Sequence, residues 1–114
     1  MPHYLMTVVE PSTGEPPTPE ALDRIMTDVD AVHRAMQDAG VWVFGGGLLR
    51  QQASVVGTDG QVSDGPSPET KAVVGGFAVL EVASRAEALD WAARIARACR
   101  CAQEVREIGY DPDS

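Results

Sequence analysis

Between Asp64 and Lys71 the sequence reads Asp-Gly-Pro-Ser-Pro-Glu-Thr-Lys, which places three charged groups on one short loop beside glycine-rich segments. In that setting Asp64 could accept a hydrogen bond or act as a general base, and Lys71 could clamp an anionic group electrostatically. Gly65 and Pro66 would shape the turn, with Glu69 completing a ligand-binding set of Asp64, Gly65, Pro66, Glu69 and Lys71. The same residues also have a purely local use. An aspartate ahead of Gly-Pro commonly bonds its own backbone, and Glu69 and Lys71 also suit a solvated loop.

His33 is the second candidate for catalysis beside Asp64. It shares a helical stripe with Val29, Val32 and Met36, where a histidine serves either as a proton shuttle or as a half-buried core or interface group. Cys99 and Cys101, one residue apart, suit neither an ordinary structural disulfide nor a four-ligand zinc site, and read as two reduced thiols. No metal ligand set is assigned, and no cofactor is expected. Gly45-Gly46-Gly47 opens no helix and fits no phosphate-loop spacing, so these glycines signal bent backbone rather than nucleotide binding. Trp42 and Trp91 could line a pocket or anchor a core.

These groups must be positioned by a single domain, because the chain has only 114 residues. Hydrophobic residues make up 44% and charged residues 23%, enough apolar content to bury a core. Nine basic against seventeen acidic residues leave a net charge of −8, which repels phosphate backbones and anionic headgroups. Nucleic acid and membrane surfaces are therefore excluded as expected partners. No apolar run reaches bilayer length, and Met1-Pro2-His3 does not open a leader pattern, so a soluble cytoplasmic protein is expected. Arg94, Arg97 and Arg100 recur at helical spacing and read as a solvated face near a helix C-terminus.

The β-branched and aromatic run Tyr4 to Val9 predicts a strand, and the Pro/Gly/Thr-rich stretch through Pro17 a loop. Thr18-Pro19-Glu20 then carries an N-cap, a proline for the first helical position and an acid for the first turn. Leu22, Ile25, Met26, Val29, Val32, His33 and Met36 give that helix one apolar face, which Gly40 ends. Val41 to Phe44 predicts a strand that bends or bulges at the triple glycine. Ala53–Val56 and Gln61–Ser63 flank an Asp-Gly turn and predict a small hairpin. Val73 to Val82 suits a central strand. Ser84-Arg85-Ala86-Glu87 is a capping box for a second helix, with Leu89, Ala92, Ile95, Ala96 and Cys99 facing inward. Gln103 to Tyr110 suits a last strand with one wet face.

This order predicts an α+β, ferredoxin-like βαβ(β-hairpin)βαβ fold, an antiparallel sheet with two helices on one face. The other sheet face is then bare and partly apolar, which a homodimer would cover.

Asp64 to Lys71, then Val74-Gly75-Gly76-Phe77, then Glu87-Ala88-Leu89-Asp90-Trp91-Ala92 resemble the YCII-related proteins of the DGPF type. The likeness extends from Tyr4 to Glu104-Val105-Arg106, with Ala39-Gly40-Val41 similar to the family's helix-to-strand junction. It implies a ferredoxin-like domain assembled as a dimeric α/β barrel, and a possible regulatory link to a sigma factor. Ser67 departs from the pattern, since the resemblance places an aromatic after Gly-Pro, and a buried Phe there would contribute roughly 2 kcal/mol. The founding branch is thought to use a His and an Asp, the His on the first helix about eleven residues before the terminating glycine. Here that position is Val29, so a His–Asp mechanism does not carry over.

No nucleophile, base and orienting third group assemble in the sequence, which points to a small-ligand-binding or regulatory module working as a homodimer. The alternative is a small cofactor-independent enzyme, an isomerase, monooxygenase or hydrolase-like protein with its site in the barrel cleft. A cavity holding Asp64 or His33 favours the enzyme, and a filled cleft favours the module.

Overall fold

Alternation along the first strand decides which face of the sheet is interior. In the computed structural model, which describes residues 1–11, 17–48, 53–65 and 72–109, strand β1 runs from His3 to Pro11. Tyr4 and Met6 are buried on it while Leu5 and Thr7 point the other way, as the two-residue period of a strand requires. Strand β5 (Ala72–Glu81) pairs antiparallel with β1 and sets Leu80 opposite Tyr4 and Ala78 opposite Met6, so the same face is buried on both. Helix α1 (Pro19–Asp38), strand β2 (Trp42–Gly47), hairpin strands β3 (Ser54–Val56) and β4 (Val62–Asp64), helix α2 (Arg85–Cys99) and strand β6 (Ala102–Glu107) complete the order. The main sheet runs β2-β5-β1-β6 with every pairing antiparallel, and β3 and β4 form a separate two-stranded sheet. That is the ferredoxin-like α+β arrangement with an inserted hairpin.

The helix starts follow their sequence signals closely. Thr18 Oγ1 accepts the Ala21 N–H at 3.2 Å, with Pro19 in the first turn. Gly40 adopts φ +74° just past the end of α1, the left-handed region a Cβ disfavours. At α2, Ser84 Oγ accepts the Glu87 N–H at 3.2 Å, and Glu87 Oε2 accepts from Ala83 at 3.3 Å, one residue earlier than the reciprocal bond of a capping box. Arg100 ends α2 at φ +59°, unusual for a residue with a side chain, and its guanidinium donates to the Ala98 carbonyl and to Asp28 Oδ2 on α1, the latter at 2.8 Å.

Two expectations about faces are corrected. The buried side chains of α2 are Ala88, Ala92, Ile95 and Ala98; Leu89 is 44% exposed and Ala96 half-buried, because the helix is rotated toward its alanines, which let it approach β1 and β6 closely. On α1 only Met36 is buried, while Leu22 and Met26 remain 47% and 54% exposed. The predicted bulge at the triple glycine is also displaced. Gly45, Gly46 and Gly47 pair regularly with Ala78, Phe77 and Gly76, and the register shift on β2 lies between Trp42 and Phe44. A second shift leaves Gly75 without a register partner on β1, between Val74 and Gly76, while its carbonyl accepts the Leu48 N–H at 3.0 Å.

The core comprises Tyr4, Met6, Met36, Ala78, Leu80, Val82, Ala88, Ala92 and Ile95. On the opposite sheet face, register groups Leu5, Thr7, Val9, Phe44, Phe77 and Val79. Phe44 is 61% exposed there, in edge-to-face contact with Phe77 at 5.3 Å between ring centroids. No helix among the described residues is long and apolar enough to cross a membrane.

Candidate functional site

A cleft of about 340 Å³ opens on the helix-covered side of the sheet, beneath α1 from Leu22 to Met36. Its origin is local. Gly47 on β2 and Gly76 on β5 face the helices without side chains, so the sheet offers little there to meet Leu22, Ile25, Met26 and Val29, and Gly46 and Gly75 line the same floor by their backbone. The large apolar stripe of α1 therefore becomes the roof of a cavity rather than part of a filled core. Met6 and Val8 of β1 and Ile95 of α2 close the inner wall.

The polar groups of the cleft come from two places. Asp30 and His33 lie one turn apart on α1, and Cys99, Cys101 and Gln103 come from the α2-to-β6 junction. The His33 ring rests against Trp42, 5.0 Å between centroids and tilted by 50°. Burial holds its imidazole below the ordinary histidine value, against an upward pull from the Asp30 carboxylate. The ring is thus biased toward its neutral form, in which one nitrogen donates and the other accepts. Gln103 Nε2 donates to Cys99 Sγ at 3.4 Å and to the Cys101 carbonyl at 3.3 Å. The Cys99 thiol in turn donates to the Cys101 carbonyl at 3.7 Å. Among the described residues no group of three or more His, Cys, Asp or Glu side chains is placed to hold a metal ion.

The sequence matches the YCII-related domain over residues 3–109. The chain belongs to that family. A search among curated proteins finds no match. Within this YCII-related domain, Val29, where the resemblance places the founding branch's histidine, lines the cleft, and His33 lines it one helical turn further on. His33 faces the cavity from the same stripe of α1 as Val29.

The loop candidates are distributed differently. Asp64 ends β4, exposed and opposite Ser54, and Gly65 donates its N–H to the Ala53 carbonyl at 2.6 Å. Neither is among the residues that line the cleft. Pro66, Glu69 and Lys71, like Ser67, lie outside the described residues. Of the two catalytic candidates, then, His33 lies in the cavity and Asp64 sits on the hairpin. Asp30 and Gln103 were not singled out by sequence reasoning. Asp30 carries a weak signal, as the acidic residue one turn before a histidine on an apolar stripe, whereas Gln103 becomes visible only once β6 pairs with β1 and sets it opposite Val8.

Proposed function

We propose that this YCII-related domain is a small-ligand-binding or regulatory module that takes its ligand into the cleft beneath α1 and works as a homodimer through its open sheet face. The observation that carries the reading is the cleft itself, a cavity of ligand size with apolar walls and a few convergent polar groups. A helix stripe as apolar as Leu22, Ile25, Met26 and Val29 is costly to leave over an empty space, and an apolar guest would remove it from water. Support for the dimer comes from Leu5, Phe44, Phe77 and Val79 on the bare face of the sheet. The test uses 1-naphthylamine, a neutral fluorophore of about ten non-hydrogen atoms whose emission shifts to the blue in apolar surroundings. Emission should shift with the wild type and stay at its aqueous position with Val29→Phe, which fills the cleft from the roof. An equal shift in both proteins would place the dye elsewhere and refute the reading.

The cleft is open and holds His33, the arrangement expected of the enzyme and not of a module with a filled cleft, and this favours a second reading, that of a cofactor-independent enzyme in which a neutral imidazole removes or returns a proton at the bound molecule. Deuterium exchange from heavy water into the carbons flanking the carbonyl of 4-phenylbutan-2-one checks it. Exchange faster than with His33→Gln would support proton transfer, and equal rates would leave binding alone.

A further inference from the structure

From the polar groups of the cleft we infer the class of its ligand: an apolar molecule of about ten non-hydrogen atoms that carries an N–H or O–H donor, neutral or cationic, with carboxylates rejected. This rests on the cleft being a binding site. The size follows from about 340 Å³ of space at roughly 30 Å³ per atom-sized unit. The donor requirement follows from what the wall presents. Gln103 directs its amide N–H groups to Cys99 Sγ and the Cys101 carbonyl, which leaves the amide oxygen as its remaining hydrogen-bonding group. Asp30 contributes a carboxylate, an acceptor only, and His33 in its neutral form contributes an acceptor nitrogen alongside one donor. Among the described residues that line the cleft, none is a lysine or arginine. A carboxylate entering here would meet the like charge of Asp30, an exposed group whose repulsion is strongest at low salt, and the net charge of −8 opposes its approach. An alcohol or an ammonium group would instead donate to acceptors already held in place.

Three compounds that share one apolar body separate the possibilities: 3-phenylpropan-1-ol, 3-phenylpropylamine and 3-phenylpropionate. Each is titrated at low salt into the intact ¹⁵N-labelled protein, following the amides of Val29, Asp30, His33 and Gly47. The alcohol and the amine should move these signals with dissociation constants at least about tenfold below that of the propionate. Asp30→Asn, an exposed helix position tolerant of the change, should bring the propionate to within about threefold of the alcohol and weaken the amine. If the propionate moves the same amides as tightly as the alcohol, or if Asp30→Asn leaves the ratio unchanged, the ligand class is overturned while the cleft stands as a site. If none of the three moves these amides at millimolar concentration, the class and the cleft reading fall together.

Discussion

Two neighbouring glycines of β2 should respond to the same substitution with opposite signs. A Cβ on Gly45 would lie 2.5 Å from the Phe77 carbonyl oxygen, 2.8 Å from Ala78 Cα and 2.9 Å from Trp42 Cη2. Two of the three obstacles are backbone of β5, to which β2 is bonded at the sheet edge, so relief requires the strands to part or Trp42 to leave its place against His33. Overpacking of this kind costs about 2–3 kcal/mol. For a domain of this size that corresponds to a fall in Tm of about 10 °C. A Cβ on Gly46 meets nothing within 4 Å. Gly46→Ala should therefore gain about 0.4–1 kcal/mol by narrowing the unfolded ensemble, a rise in Tm of a few degrees. Thermal melts of Gly45→Ala and Gly46→Ala, followed by circular dichroism and by tryptophan emission, check both signs. A melt of Gly45→Ala coincident with wild type, or equal losses in both variants, would refute the close approach of β2 to β5 as the reason for the glycine.

The lowered His33 value makes stability pH-dependent in a defined direction. Between the ordinary value of 6.5 and the lowered folded value, the unfolded chain binds more protons, so the contribution is present above pH 6.5 and lost as pH falls through that window. Urea midpoints measured on either side of the window should fall with acid more steeply in wild type than in His33→Gln, and parallel curves would refute the assignment. Sedimentation of the wild type at low micromolar concentration should give a species of twice the 12.1 kDa chain mass, shifted toward a single chain by Phe44→Glu. A wild type that sediments only as single chains would refute the covered sheet face.

Most of the fold was legible because its signals are local. Thr18-Pro19, Gly40 and Ser84 to Glu87 act within three or four residues of themselves, and their hydrogen bonds form much as their spacing requires. Strand order followed from the alternation of elements and the rules that govern their connections. Faces were harder to read. On α2, Ala92 and Ile95 face inward as expected but Leu89 and Ala96 do not, since three of the four buried residues are alanines, which mark a buried helix face only when something packs close to them. Leu89, the larger apolar residue, drew the prediction outward. The register shift between Trp42 and Phe44 was similarly invisible, because the conspicuous glycines beside it serve close strand approach at Gly45.

The cleft depends on a relation between distant segments, which a periodic pattern on one helix does not contain. Leu22 to Met36 reads as a buried face whether the sheet below offers side chains or glycines, so hydropathy alone assigned the whole stripe to the core. Pairing of β2 with β5 sets Gly47 opposite Gly76, and that juxtaposition removes side chains that would have filled the space. The same relation decides the role open to His33. On a filled face it would be one more half-buried ring, whereas over a glycine floor it borders open space with Asp30 one turn away and Trp42 behind it. Val29 occupies the position one turn earlier on the same stripe. The polar edge of the cavity is thereby moved toward the α2 junction, where Gln103 and Cys99 lie, leaving the roof at Leu22 to Val29 apolar. Under the proposed reading, an apolar roof joined to an acceptor-bearing end would orient a guest along the helix axis, with its donor toward His33 and its hydrocarbon toward Leu22.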